Sequence, residues 1–223
     1  MSDSDSDEGG GLLPPIHRAA IAGDLEALRR ELEAGVSPDC LCYSGHIEGL
    51  PQKRPLCFAA FLGNVAIVKL LIAAGADVTH ADTQDGWTAL HAAVSRGRAR
   101  NASCAAALLE AGAAVDAGYG YGIVRQTPLV RAVETYGYSR SSIIPVLLRF
   151  GARIDMTRLE RYSGIASHAY AYLAKVHAAG GWKRYERAHR MRLTSTFARV
   201  LFPRVPTEVV SHIVDLWAHV GYY

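Results

Sequence analysis

One pattern recurs four times along this 223-residue chain, and it constrains the fold more than any other feature. Each copy opens with a short run of small and aliphatic residues, continues through a polar or glycine break into a second apolar run, and closes at a glycine. The four openings are PIHRAA (15–20), RPLCFAA (54–60), TALHAA (88–93) and TPLVRA (127–132). Such a period predicts a solenoid, in which each unit buries its core only against its neighbours.

The details of the pattern point to a known repeat. The openings follow T-P-L-H-x-A-A, and the closing segments follow x-x-G-A-D-V, as at 73–78. This combination resembles the ankyrin repeat, whose ideal period is about 33 residues. The copies begin at Pro15, Pro55, Ala89 and Pro128, with spacings of 40, 34 and 39 residues, which indicates enlarged loops. The resemblance covers roughly residues 14–156 and implies an all-α solenoid of helix-turn-helix units with hairpin loops.

The chain divides by composition into four parts. Residues 1–12 are acidic without an apolar core, which predicts a disordered tail and no signal peptide. Residues 13–156 hold the four ankyrin-like repeats, and 157–181 form a degenerate capping repeat that covers the last core. Residues 182–223 hold a basic helix and a terminal helix, which we expect to pair as a C-terminal helical hairpin.

Single positions carry local predictions. Thr88 is placed to cap a helix, Gly63 to separate two helices, and Gly75 to end a helix in the left-handed conformation. The ankyrin resemblance implies that His17 and His91 are neutral and bond backbone to join adjacent repeats, in preference to catalysis or metal binding.

Several classes of function are excluded by what the sequence lacks. No apolar run approaches the ~20 residues that span a bilayer. Cys57 and Cys104 fall in helical core positions, and Cys40-x-Cys42 near His46 lacks usual zinc spacing, so we predict neither a disulfide framework nor a metal site. A reducing compartment, cytoplasmic or nuclear, follows from this cysteine usage.

No arrangement of residues in the sequence suggests catalysis. His212 and Asp215 share a helix face without a nucleophile nearby, and no G-x-x-x-x-G-K-[ST] phosphate loop occurs. Repeat solenoids also offer open grooves in place of closed, water-excluding pockets. We therefore predict a non-enzymatic protein without a cofactor.

The ankyrin resemblance implies a binding surface made of hairpin tips and the inward face of each first helix. The matching pairs are Ile21 and Ala22, Phe61 and Leu62, Ser95 and Arg96, and Glu134 and Thr135; Trp87 directly precedes the third signature. Large apolar side chains at such positions indicate partner contact. The alternative is that an enlarged loop folds over Phe61, Leu62 and Trp87 and buries them.

Two enlarged loops are rich in tyrosine. The loop at 38–51 carries Tyr43, and the loop at 118–122 alternates glycine with Tyr119 and Tyr121. Tyrosine on a flexible backbone is typical of adaptable binding surfaces, although these rings could instead pack on their own repeat. The predicted partner-binding residues are Phe61, Leu62, Trp87, Ser95, Arg96, Tyr119, Tyr121 and Tyr43.

The C-terminal third is basic. Between Arg149 and Arg204 there are twelve Lys or Arg against three acids. Within the predicted helix at 182–200, basic residues lie on a different face from an apolar stripe. An acidic protein, the chain's own acidic tail or nucleic acid could contact them, but a solvated face is the commoner outcome and we expect no nucleic-acid partner.

The last helix carries a second, weaker resemblance. The spacing Pro206-x-Glu208-x-x-x-x-Ile213 resembles the first helix of an F-box, although Val205 replaces its leucine and the two further helices of an F-box are missing. The resemblance implies docking of a Skp-type adaptor through Pro206, Glu208, Val209, Ile213 and Trp217. A structural hairpin is the alternative.

Taken together, these patterns predict a monomeric, non-enzymatic adaptor that binds a protein partner and does not enter a membrane. The alternative function is that of a substrate receptor, which recruits a cullin ubiquitin ligase through the F-box-like helix.

Overall fold

The fold is entirely helical. The computed structural model describes residues 13–42, 54–81, 85–96, 99–120, 125–136, 142–162, 167–200 and 204–219. Among these residues there is no β-strand, only isolated antiparallel bridges at Ala81–Thr88 and Tyr119–Gln126. The helices are α1 (Pro15–Ala22), α2 (Leu25–Glu33), α3 (Pro55–Leu62), α4 (Val65–Ala73), α5 (Ala89–Val94), α6 (Ala99–Glu110), α7 (Pro128–Tyr136), α8 (Ile143–Arg149), α9 (Met156–Leu159), a 3₁₀ turn (Glu160–Tyr162), α10 (Ser167–Ala178), α11 (Trp182–Val200) and α12 (Thr207–His219).

The first eight helices form four stacked pairs. The first helices α1, α3, α5 and α7 contact one another in series, and the second helices α2, α4, α6 and α8 do the same. Each helix therefore packs on its own partner and on the equivalent helix of the next pair. This arrangement confirms the predicted all-α repeat solenoid.

The core follows the repeated signature. Its aliphatic position is occupied by Ile16, Leu56, Leu90 and Leu129, all of which are buried. The second helices add buried leucines four residues before their closing glycines, at Leu71, Leu108 and Leu147. Because each such side chain lies between two repeats, the core is a continuous strip along the stack. Helix α10 extends this strip with Leu173 and Val176.

Local chemistry sets the helix ends where the sequence predicts. The Thr88 hydroxyl accepts a hydrogen bond from the His91 amide and caps α5. Gly63 ends α3 in the left-handed conformation with a φ of 78°. Gly75 follows α4 with a φ of 86°, and its amide donates to the Ile72 carbonyl at 3.0 Å. These three predictions are confirmed.

Two asparagines join successive repeats through the backbone. The Asn101 amide donates to the carbonyls of Ala60 and Phe61 at 2.8 and 3.0 Å, and Asn101 is fully buried. Asn64 occupies the equivalent position one repeat earlier and donates to the Ala20 carbonyl at 3.0 Å. Each asparagine thereby adds a side-chain donor to carbonyls at the end of the preceding repeat's first helix, of which the Ala60 carbonyl also accepts the Gly63 amide at 3.3 Å.

Helices α11 and α12 pack against each other as a helical hairpin. Among the α12 side chains that the structure describes (207–215), Val210 and Val214 are buried, whereas none of the α11 residues is fully buried. Arg190 ties the two helices together by contacting Glu186 at 3.0 Å and Asp215 at 2.9 Å. Pro206 lies just before α12, where its carbonyl accepts the first helical hydrogen bonds from Val209 and Val210.

Candidate partner-binding surface

His91 is held in a single tautomer by its neighbours. The Thr88 amide donates to His91 Nδ1 at 3.2 Å, so the proton lies on Nε2, which donates to the Gln126 carbonyl at 3.3 Å. Burial lowers the pKa of His91 to about 4, so the ring is neutral at physiological pH. The bond to Gln126 joins the third repeat to the hairpin of the fourth, which confirms the linking role predicted for this histidine.

His17 is the equivalent residue of the first repeat and has a different neighbourhood. It is fully buried, its Nδ1 lies 4.0 Å from the Cys40 sulfur, and its ring meets Phe58 edge-on at 5.7 Å. These contacts place the His17 ring within the protein interior, whereas its bond to the backbone of an adjacent repeat stays a prediction.

Trp87 and Tyr119 form the centre of an aromatic cluster at the hairpins of the third and fourth repeats. Their ring centroids are 4.6 Å apart in an edge-to-face arrangement, and Tyr119 also meets the His91 ring at 4.9 Å. The Arg131 guanidinium lies 5.9 Å from the centre of the Trp87 ring. Trp87 is only 3% exposed, whereas Tyr119 is half-buried. Burial raises the pKa of Tyr119, so its hydroxyl stays protonated at neutral pH.

Backbone bonds fix the position of Tyr119. Tyr119 and Gln126 exchange amide–carbonyl hydrogen bonds of 3.0 and 2.8 Å, and the Gly120 amide donates to the Asp85 carbonyl at 2.7 Å. Gly86 permits this approach because it adopts a φ of 78° and because a Cβ there would come within 2.8 Å of the Gly118 carbonyl oxygen. The two neighbouring hairpins therefore hold the ring on a prearranged backbone.

A second cluster lies at the ends of the first helices. The Arg96 guanidinium lies 4.2 Å from the centre of the Phe61 ring, a cation–π distance. Phe61 is 5% exposed, Arg96 is exposed, and Leu62 beside them is half-buried. The Ser95 hydroxyl donates to the His91 carbonyl at 2.7 Å, so it serves the end of its own helix.

The structure corrects one expectation about these residues. Phe61 and Trp87 are not exposed anchors, since both are buried within the isolated chain. Tyr119 from the enlarged loop covers Trp87, as in the burial alternative, whereas Phe61 is covered by Arg96, which lies outside the enlarged loops. Tyr43 and Tyr121 lie outside the described residues. Sequence reasoning missed Arg131, whose position four residues after Thr127 gave no signal that it would reach the Trp87 ring.

Of the residues predicted to dock an adaptor, the four that the structure describes are exposed at the start of α12. Val209 and Ile213 are 48% and 41% exposed, and Pro206 and Glu208 are exposed as well. Val210 and Val214, one position further along the helix, are the ones that face inward. The side chain of Trp217 lies outside the described part of the chain.

Metal clusters and membrane-spanning helices are absent from the described residues. No group of three or more metal-binding side chains comes together among them. None of the helices within the described ranges is long and apolar enough to cross a bilayer. The four cysteines form no disulfide, and burial raises the pKa values of Cys40 and Cys104.

Comparisons with known proteins agree with the fold. A family model described as ankyrin repeats, in three copies, matches residues 56–158. The Zinc finger CCCH domain-containing protein 24 of Oryza sativa subsp. japonica is 35% identical over 102 residues, which is 44% of this chain and 13% of that protein. The DNA-binding protein RFXANK of Mus musculus is 36% identical over 66 residues, which is 28% of this chain and 24% of that protein.

These matches span only a minor part of each relative's length, so they concern the repeats and not the whole proteins. The family model matches the segment in which the helix pairs stack and in which His91 links one repeat to the next. Residues 56–158 of this chain are therefore ankyrin repeats.

Proposed function

We propose that this chain is a non-enzymatic adaptor that binds a protein partner through the inward face of its first helices and its hairpin loops. Ankyrin repeats imply a role in protein–protein interaction, and the family is generally non-enzymatic. The observation that carries the proposal is that two partly exposed side chains, Arg96 and Tyr119, each rest on a buried aromatic ring.

Arg96 and Tyr119 should lose little conformational entropy on binding, because the fold already positions both side chains. A flexible side chain loses rotamer freedom when it binds, at a cost of about 0.5–1.5 kcal/mol for each immobilised chain. Arg96 is already positioned by the Phe61 ring, and Tyr119 is already held by its hairpin bonds and by Trp87. Arginine and tyrosine are also enriched among residues that dominate interface energies. We therefore assign contact to Arg96, Tyr119 and Leu62, and a supporting role to Phe61 and Trp87.

The test is capture of partners from cell extract by the intact chain, by Arg96→Glu and by Tyr119→Ala. We expect both variants to lose the same partner while retaining the helical content of the parent, with a modestly lower melting temperature because these side chains cover Phe61 and Trp87. Arg29→Glu is the matched control, because Arg29 is an exposed arginine on a second helix, away from this face. Retention of every partner by both variants would refute the assigned surface, as would equal loss of the partner in the Arg29→Glu control.

A second function is favoured by one specific observation. Val209 and Ile213 are exposed on α12 although they are apolar, while Val210 and Val214 already fill its contact with α11. Two apolar residues four positions apart form one face of a helix, which suits docking into a groove. This face is the one that the F-box-like spacing assigns to a Skp-type adaptor, and the chain would then act as a substrate receptor of a cullin ubiquitin ligase.

The decisive comparison uses Ile213→Asp beside His212→Asp. Both residues are exposed on α12, so each variant adds the same charge to the same helix. If α12 recruits the ligase, purified Skp-type adaptor binds the parent and the His212 variant but not the Ile213 variant. Absence of adaptor binding to the parent itself would remove this second function and leave the first intact.

A further inference from the structure

A groove runs between α11 and α12, on a surface separate from the ankyrin face. Helix α11 contributes Lys183, Arg187, Met191 and Arg199 to its lining, and α12 contributes Thr207 and Ser211. The α11 residues at 183, 187 and 191 are spaced by four, so they lie along one face of the helix. The groove is open to solvent along its length.

The charge of this groove is not balanced within the described residues. Lys183, Arg187 and Arg199 are all exposed, and no ion pair is recorded for any of them in the described parts of the chain. Arg190 provides the contrast, because Glu186 and Asp215 neutralise it at 3.0 and 2.9 Å. The groove thus has one internally compensated arginine and three cations that face solvent.

One exposed apolar side chain, Met191, lies between the two ends of the groove, and the polar Thr194 and Ser195 follow it along α11. Met191 is 67% exposed and lies between Arg187 and Arg199 along α11. Because a helix rises about 1.5 Å per residue, Lys183 and Arg199 lie roughly 24 Å apart along the axis. Methionine is a flexible side chain that adapts to different apolar partners. The order along the groove is therefore cationic, apolar and cationic.

We propose that this groove binds an acidic amphipathic helix of a partner protein. Such a helix would place its carboxylates against Lys183, Arg187 and Arg199, and its apolar stripe against Met191. Its length would be about 16 residues, since it must span the same distance at the same rise. The complex would be a three-helix packing of α11, α12 and the partner.

The surroundings favour protein over nucleic acid. Proteins that bind single strands stack bases on aromatic rings, but Trp182 and Tyr185 of α11 pack against the core instead of lining the groove. The Glu186 carboxylate in the groove is already paired with Arg190, so the cations left for a partner are Lys183, Arg187 and Arg199.

The experiment measures binding of the full chain to an 18-residue fluorescent peptide of leucine, alanine and glutamate with helical spacing. The test variant is Lys183→Glu with Arg187→Glu. Its matched control is Lys175→Glu with Arg192→Glu, which reverses one lysine and one arginine in a separate groove between α10 and α11. We expect the test variant to bind at least about tenfold more weakly and the control to bind within about twofold of the parent.

Three further results bear on the proposal. Binding should weaken when ionic strength rises from about 0.1 M to about 1 M, since the screening length falls from roughly 10 Å to 3 Å. Met191→Asp should weaken binding at both ionic strengths. Equal losses in the test and control variants, or failure of the parent to bind the glutamate peptide above its glutamine counterpart, would overturn the assignment. Tighter binding of a single-stranded oligonucleotide, lost in the same test variant, would also overturn it.

Discussion

The repeat stack and the C-terminal hairpin differ in how deeply their helices are buried and in what stabilises them. In α3, every residue from Pro55 to Phe61 is buried, because helices on both sides and its own partner surround it. In α11, which is more than twice as long, no residue is fully buried. The comparison teaches that the stack is stabilised by its interior, whereas the hairpin combines a narrow apolar contact with an ion-pair cluster. Substitutions at a binding surface should therefore destabilise the protein less in the hairpin than in the stack.

The largest difference in stability between the stack and the hairpin should appear when one leucine in each is replaced by alanine. Leu108→Ala removes a fully buried side chain between repeats and should lower the free energy of unfolding by about 2–5 kcal/mol. Leu193→Ala in α11 removes a half-buried side chain and should cost less than half as much. Urea denaturation of the two variants beside the parent measures both. Equal losses would show that the hairpin is as tightly packed as the stack.

The next largest effect should be a loss of stability at low pH, caused by His91 in the repeat stack. The unfolded chain protonates this ring below about pH 6.5, whereas burial delays protonation in the folded chain to about pH 4. Stability is therefore complete above pH 6.5 and is lost as the pH falls towards 4, by up to ~3 kcal/mol. Urea midpoints measured at intervals across this window should fall more steeply in the parent than in His91→Gln. Identical slopes would mean that the buried ring does not titrate in this range.

A third comparison lies within the stack. Asn101→Ala leaves the Ala60 and Phe61 carbonyls without their side-chain donor in a buried site and should cost about 1–3 kcal/mol. Asn64→Ala makes the same change where the side chain is partly exposed, so water can replace part of the loss. Thermal melts of the two variants measure the difference in stability between them. A larger loss at Asn64 would contradict the role assigned to burial.

The smallest effect is expected in the hairpin. Arg190→Ala removes the ion pairs to Glu186 and Asp215, which are partly exposed, and should cost about 1 kcal/mol or less. Because Arg190 joins α11 to α12, hydrogen exchange should accelerate in α12 and stay unchanged in α5. Faster exchange in α5 would show that the hairpin and the stack unfold together.

The stack could be predicted from sequence because its signals repeat. Thr88, Gly63 and Gly75 act on the chain within a few residues, and four similar copies reveal which positions face the interior. The orientation of Phe61 and Trp87 could not be predicted in this way, since it depends on Arg96 and Tyr119 from the following repeat. Likewise, the ion pair between Arg190 and Asp215 joins residues 25 positions apart on two successive helices, and no local pattern specifies it.

The bonds from Asn64 and Asn101 have a consequence for synthesis on the ribosome. Each asparagine completes the end of a helix that precedes it in the chain, and the donor lies about 40 residues further on. A newly made repeat would therefore leave the exit tunnel without this side-chain donor, which arrives only when the next repeat emerges. The order of translation thus matches the order in which these bonds can form, and each repeat would be exposed to chaperones and proteases for the time needed to make its successor.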